Sequence, residues 1–423
     1  MHLHADVPLD ILGHIADILG SEDGRLDRET LKVLSQTCKF MVPVCRRHLF
    51  SSLRLPFYLT SVRRSLGLRN LLLSNPAMTS YFKILSFDVA QPFCGSDYDI
   101  LHMICASSSP TTVSIFGGNW NYLTERAKSL ILALAQNSTV HRLALKSIDN
   151  FPAAALSLCS SLNELKLCGI NDFASPDDNF IMKNSNKIPL ISLHVYSVSN
   201  ATLATLMAPA KDLNTVGVVG LPLRFDRLKQ ASFQISIPSE TLQMYELLEK
   251  AVSLELFAIE VRPQGHLLRL TGLGSRLAVN THPTLRLAKF SLCVYSDYNN
   301  PIRELTHELE HISGNNILEE LEVTVTTTLF MLQRTKLVGW VDLDTVLTSP
   351  GAFPMLRRVA FQLKCQHIYD WIRNSPEFLP SNLTEKRFPR LLADTSIDFV
   401  YREAIVYDNG LRPPYHMYDD EQE

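Results

Sequence analysis

Two large apolar residues separated by a single other residue recur along most of this chain, at steps of 22 to 41 residues. The pairs are Leu85/Phe87, Val113/Ile115, Leu143/Leu145, Leu165/Leu167, Leu193/Val195, Val216/Val218, Phe257/Ile259, Phe290/Leu292, Leu321/Val323 and Val359/Phe361, with a weaker one at Ile397/Phe399. A period of two marks a strand with one buried face. Between the pairs lie stretches of helical period: 123–137, 200–207, 241–251, 301–313 and 366–374. One strand and one helix cannot cover each other's apolar faces alone. Units of this kind bury them by stacking on their neighbours, which makes the strands parallel and the array elongated.

A strand, a turn, a helix and a return every 20 to 40 residues resembles a degenerate leucine-rich repeat. The expected fold is therefore α/β: an N-terminal helical module on a leucine-rich-repeat-like solenoid with a curved parallel sheet. No regular asparagine follows the apolar pairs, and unit lengths wander. A doubly wound sheet is the alternative, although its strands should read as longer apolar runs. With the paired residues turned inward, alternation puts the intervening side chains on the opposite face. Lys146, Lys166, His194, Tyr196 and Glu322 are the candidate substrate face, along with Ala144, Cys168, Ala258, Glu260, Glu320, Thr324, Arg358, Ala360 and Gln362. Stacked arrays use such a concave sheet for binding. Segments 171–187 and 375–390 are polar and rich in Pro and Asn, as expected for loops, and residues 406–423 form an acidic tail.

Residues 1–55 read differently. Leu9, Leu12, Ile15 and Leu19 recur at helical spacing behind Pro8, then Leu31, Leu34 and Cys38, then a third pattern from Pro43 to Phe50. Three helices this short leave apolar surface over, so a partner or the following 56–405 domain must cover it. The blocks Pro8-Leu9-x-Ile11-Leu12-x-x-Ile15, Leu34-Ser35-x-Thr37-Cys38 and Arg47-x-Leu49-Phe50 resemble an F-box of the kind common in fungal proteins. The sequence departs at Val7, where that family usually has leucine, and inserts SEDGRLD between the first two helices. The resemblance implies a trihelical module that docks on a Skp-type adaptor and through it on a cullin. It implies Pro8, Leu9, Ile11, Leu12, Ile15 and Leu34 as contacts or close support. The chain would then be a substrate receptor without catalysis of its own, holding a target protein on the repeats. The alternative is an interaction scaffold whose helices only cap the array.

A net charge of −3 and a pI near 6.5 supply no field for nucleic acid or an anionic membrane. The N-terminus lacks the basic and apolar regions of a signal peptide, and no apolar run reaches a membrane span. Eight cysteines without a C-x-x-C pair are expected to be reduced thiols of the cytosol or nucleus.

One motif points elsewhere. Residues 307–311 read HELEH, the spacing that sets two imidazoles on one helix face for zinc, with a glutamate as general base. Here the apolar stripe of that helix is Ile302, Leu305, Leu309 and Ile312, and His307 and His311 fall nearly opposite it. The histidines are therefore expected in solvent. The extended form of the motif wants histidine where Ile317 stands, and the next acids, Glu319 and Glu320, open a strand. No phosphate-binding loop and no G-x-S-x-G nucleophile turn occurs. No metal and no cofactor is expected.

Overall fold

A computed structural model describes residues 9–20, 28–37, 39–55, 62–174, 188–207, 223–262, 270–281, 283–294, 300–328, 339–367 and 383–407. The chain divides into two compact units, Met1–Leu228 and Lys229–Glu423.

The first unit opens with α1 (Leu9–Gly20), α2 (Arg28–Thr37) and α3 (Met41–Leu49). Ala16, Leu31, Met41 and Cys45 form their buried centre, ringed by Leu12, Leu19, Leu34, Val44 and Leu49. Two residues after α3 the chain enters β1 (Ser52–Leu55), a strand inside the segment read as helical. It is followed by β2 (Ile84–Asp88), β3 (Thr112–Phe116), β4 (Arg142–Lys146), β5 (Glu164–Cys168) and β6 (Ser192–Tyr196). These six strands pair in parallel and in chain order. Their register sets Leu53, Leu85, Val113, Leu143, Leu165 and Leu193 in one buried row. Leu55, Phe87, Ile115, Leu145, Leu167 and Val195 form the next.

Parallel neighbours need crossovers. The helices α4 (Val62–Ser74), α5 (Gly95–Ser107), α6 (Glu125–Ala135) and the single turn α7 (Ala153–Leu156) supply them, and α8 (Asn200–Met207) follows β6. The Thr124 hydroxyl caps α6 by accepting from the Ala127 N–H at 3.2 Å. Of the polar stretch 171–187, Phe173–Ala174 pairs with Phe151–Pro152 and Ile188–Pro189 follows it in a second short ladder; residues 175–187 lie outside the described residues.

The second unit repeats the plan with longer strands: β7 (Gln230–Ile235), β8 (Leu256–Val261), β9 (Leu287–Val294), β10 (Glu320–Thr328), β11 (Arg358–His367) and β12 (Asp398–Tyr407). All five neighbouring pairs are parallel. The accompanying helices are α9 (Pro238–Lys250), α10 (Leu273–Thr281), α11 (Pro301–Ile312), α12 (Trp340–Leu347), α13 (Leu383–Arg387) and α14 (Pro389–Ala393). The described chain is thus α/β, with twelve main strands in parallel pairing, six to each unit, and two short two-stranded parallel ladders besides.

Several expectations need correcting. The Val216/Val218 pair lies outside the described residues; beyond the short strand Leu223–Arg224, the next rung of the main sheet is β7, whose buried Ala231, Phe233 and Ile235 fall outside the expected pairs. Phe257 is in register with Ala288 and Ile259 with Phe290, so the pair aligned with Phe257/Ile259 is Ala288/Phe290. A small alanine at a core position hid both. Gln366 and His367 end β11 rather than open a helix, and residues 368–374 are outside the described set. Within the expected loop 375–390, residues 383–387 are helical and Phe388 is fully buried. Its ring lies 5.5 Å from Trp340, 5.0 Å from Phe361 and 5.2 Å from Phe399, an aromatic core that anchors this segment.

Candidate interaction surfaces

Around the axis of α1 the residues sort into three sectors at 100° per residue. Leu12, Ala16 and Leu19 face the module's own core. Asp10, His14 and Asp17 share a polar sector. Ile11, Ile15 and Ile18 fall within about 60° of each other and are 50%, 40% and 58% exposed. The helix is thus apolar in two directions, one buried in the module's own core and one on which these three isoleucines are exposed. Of the residues implied as adaptor contacts, Ile11 and Ile15 are therefore available, whereas Leu12 and Leu34 support them from inside. The side chain of Leu9, and Pro8 altogether, lie outside the described residues. Ile18 was missed, although its spacing of seven from Ile11 signals it.

On the sheet the alternation is as read: Lys146 is exposed, and Lys166, His194, Tyr196 and Glu322 are half-buried on the face opposite the leucine rows. Register brings four of them together, because Lys166 pairs with His194 and Lys146 and Tyr196 flank Cys168. The Lys166 ammonium sits 5.2 Å from the centre of the Tyr196 ring, and the His194 ring is parallel to that ring at 6.4 Å. His194 Nε2 meets the Ser192 hydroxyl at 3.0 Å, while its Nδ1 is buried with no hydrogen-bond partner among the described residues. Glu322 belongs to the second unit, where Lys289 holds it at 2.9 Å.

Burial lowers the pKa of His194 below its ordinary 6.5, and Lys166 adds to that against the opposing pull of Glu164. The neutral ring is the form the fold accommodates. The stability it contributes is present above 6.5 and is lost as pH falls through the depressed folded-state value. Thermal melts should therefore drop more between about pH 7.5 and pH 5.5 for the wild type than for His194→Gln. Equal drops in the two proteins would show that this imidazole is not held neutral.

HELEH resolves into two unlike halves. His307 and His311 are exposed, their ring centres 4.8 Å apart, and His307 Nδ1 lies 3.3 Å from Glu310. Glu308, however, is only 3% exposed and is not part of a solvated face. Its carboxylate accepts the backbone N–H of Gly272 at 3.0 Å and of Gly274 at 2.6 Å, at the start of α10. Glu304 takes the N–H of Leu270 at 3.0 Å, and the Tyr245 hydroxyl donates to the Leu270 carbonyl at 3.0 Å. The glutamate of the motif is thus a cap for α10 supplied by the next helix, α11, and occupied by two backbone donors. Asp344 does the same for α14, accepting the N–H groups of Arg390 and Leu391, each at 2.9 Å. Among the described residues no group of three His, Cys, Asp or Glu side chains is placed to hold a metal ion. No described helix is long and apolar enough to cross a membrane.

Comparison of the sequence with protein-family models and with curated proteins gave no match.

Proposed function

We propose that this chain is the substrate-recognition subunit of a Skp–cullin–F-box ubiquitin ligase. Its N-terminal helices bind the adaptor, its leucine-rich-repeat-like sheet binds a target protein, and it works inside the cell, in cytoplasm or nucleus. Catalysis lies with the other subunits, and this chain supplies proximity. The observation that carries the reading is the Ile11, Ile15 and Ile18 stripe on α1, an apolar face on the module whose sequence resembles an F-box. The competing reading, a scaffold whose helices merely cap the array, draws on the two-residue step from α3 into β1. A terminal cap, though, presents a polar outer side. This one presents three isoleucines, which favours a docking module.

Co-expression with a Skp-type adaptor tests it. The tagged chain should bring the adaptor and cullin through purification, and the adaptor should raise its soluble yield by covering the stripe. Ile11→Asp, Ile15→Asp and Ile18→Asp combined should cut adaptor capture at least about tenfold, because charge replaces a desolvated apolar anchor. The melting temperature of the remainder should hold, since all three side chains are exposed. Capture unchanged by the triple substitution, or no capture by the wild type, refutes the proposal.

A further inference from the structure

Among the described residues on the outward sheet face of the first unit, four cations meet two carboxylates. Arg54 is bound to Asp88 at 2.9 Å and Arg142 to Glu164 at 3.0 Å, which uses up both acids. Lys146 and Lys166 have no salt bridge among the described residues, in a chain whose net charge is −3. They sit on adjacent parallel strands, with Lys146 opposite the residue two beyond Lys166. Strand spacing and rise place their backbones about 8 Å apart. On β6, on the other side of Lys166 from Lys146, stand the Tyr196 ring, already facing the Lys166 ammonium, and the half-buried His194, one of whose ring nitrogens has no hydrogen-bond partner among the described residues. Two ammoniums without a salt bridge among the described residues, one of them facing an aromatic ring, form a receptor for negative charge in an extended segment.

We infer that this face recognises an acidic segment of the partner protein, with Lys146 and Lys166 binding its anionic side chains and Tyr196 packing against the chain beside Lys166. The inference rests on the outward sheet face being the target-binding surface of the proposed receptor, and it names the chemistry of the target. Carboxylate and phosphate side chains offer the same recognition, and they differ in charge and in the number of acceptor oxygens.

A displayed library of random dodecapeptides selected on the immobilised full chain tests this. The recovered pool should be enriched in Asp and Glu over the input. A synthetic peptide from that pool should bind Lys146→Gln/Lys166→Gln at least about tenfold more weakly than wild type, with a steep dependence on salt. Lys364→Gln/Arg402→Gln, a charge-matched pair on the face of the second unit, should bind like wild type. The same peptide with phosphoserine at its acidic positions assigns phosphate if it binds more tightly and carboxylate if it does not. No acidic enrichment, or equal losses in the two double variants, overturns the inference. Enrichment that appears only after removal of Asp419–Glu423 also overturns it, because the occupant is then the chain's own acidic end. Adaptor capture should be normal in both double variants, so failure here and failure of the ligase reading are separate results.

Discussion

Leu321→Ala is expected to lower the free energy of unfolding by about 2–5 kcal/mol, through lost burial and the cavity left behind. Leu321 is fully buried on β10, in register between Ala288 and Val359, so no neighbouring strand can slide in to fill the space. Leu165→Ala should cost as much on β5, where Leu143 and Leu193 flank it. The residues one step along behave differently. Glu322→Ala removes only a half-exposed ion pair with Lys289, and Lys166→Ala a half-exposed ammonium, so each should change stability by about 0.5 kcal/mol or less. Denaturant melts of the four variants check the parity directly. Should Lys166→Ala cost as much as Leu165→Ala, the face assigned to partner binding does not exist.

Glu308→Ala is expected to destabilise by about 2–5 kcal/mol, because it strips the acceptor from two backbone N–H groups that α11 itself shields from water. Glu308→Gln keeps one acceptor oxygen and should recover part of that loss. His307→Ala, one residue away on the same helix, should leave the melting temperature essentially unchanged. The packing that makes Glu308 matter also makes Gly274 necessary. A Cβ there would stand 2.0 Å from the Glu308 carbonyl oxygen, backbone against backbone, so α10 and α11 could not keep their approach. Gly274→Ala should therefore cost about 3 kcal/mol or more, the upper end of overpacking. If Glu308→Ala melts like His307→Ala, the carboxylate is not the cap it is described as.

Some of this was readable without coordinates, for physical reasons. Alternation of apolar residues over five or six positions names a strand and its buried face wherever the inward residues are large. Leu143/Leu145, Leu165/Leu167 and Leu321/Val323 could be found this way. Where the inward residue is alanine the contrast with its neighbours vanishes, so the aligned pair on β7 does not stand out and the visible pair on β9 falls two residues beyond the aligned one. Strand β1 was lost for another reason: four residues following a helix are too few to show a period. On α1, the wheel separates Ile11 and Ile15 from Leu12 and Leu19 by angle alone. Which stripe would be covered was settled only by α2 and α3 closing on Ala16.

HELEH marks the boundary between local pattern and tertiary contact most clearly. The sequence by itself determined that His307 and His311 oppose the stripe of Ile302, Leu305, Leu309 and Ile312, since the geometry of one helix requires it. It could not determine the role of Glu308, about 40° beyond the edge of that stripe, a position compatible with either solvent or burial. That was decided by the start of α10, some 34 residues earlier in the chain, which brings unpaired N–H groups to the carboxylate. Likewise the spacing of Lys166 and His194 in sequence says nothing of their meeting; the parallel register of β5 and β6 puts them side by side. Periodicity is a property of single elements and is written in the chain. Pairing of donors with acceptors, and of one strand's face with the next, belongs to elements distant in sequence and exists only once they are stacked.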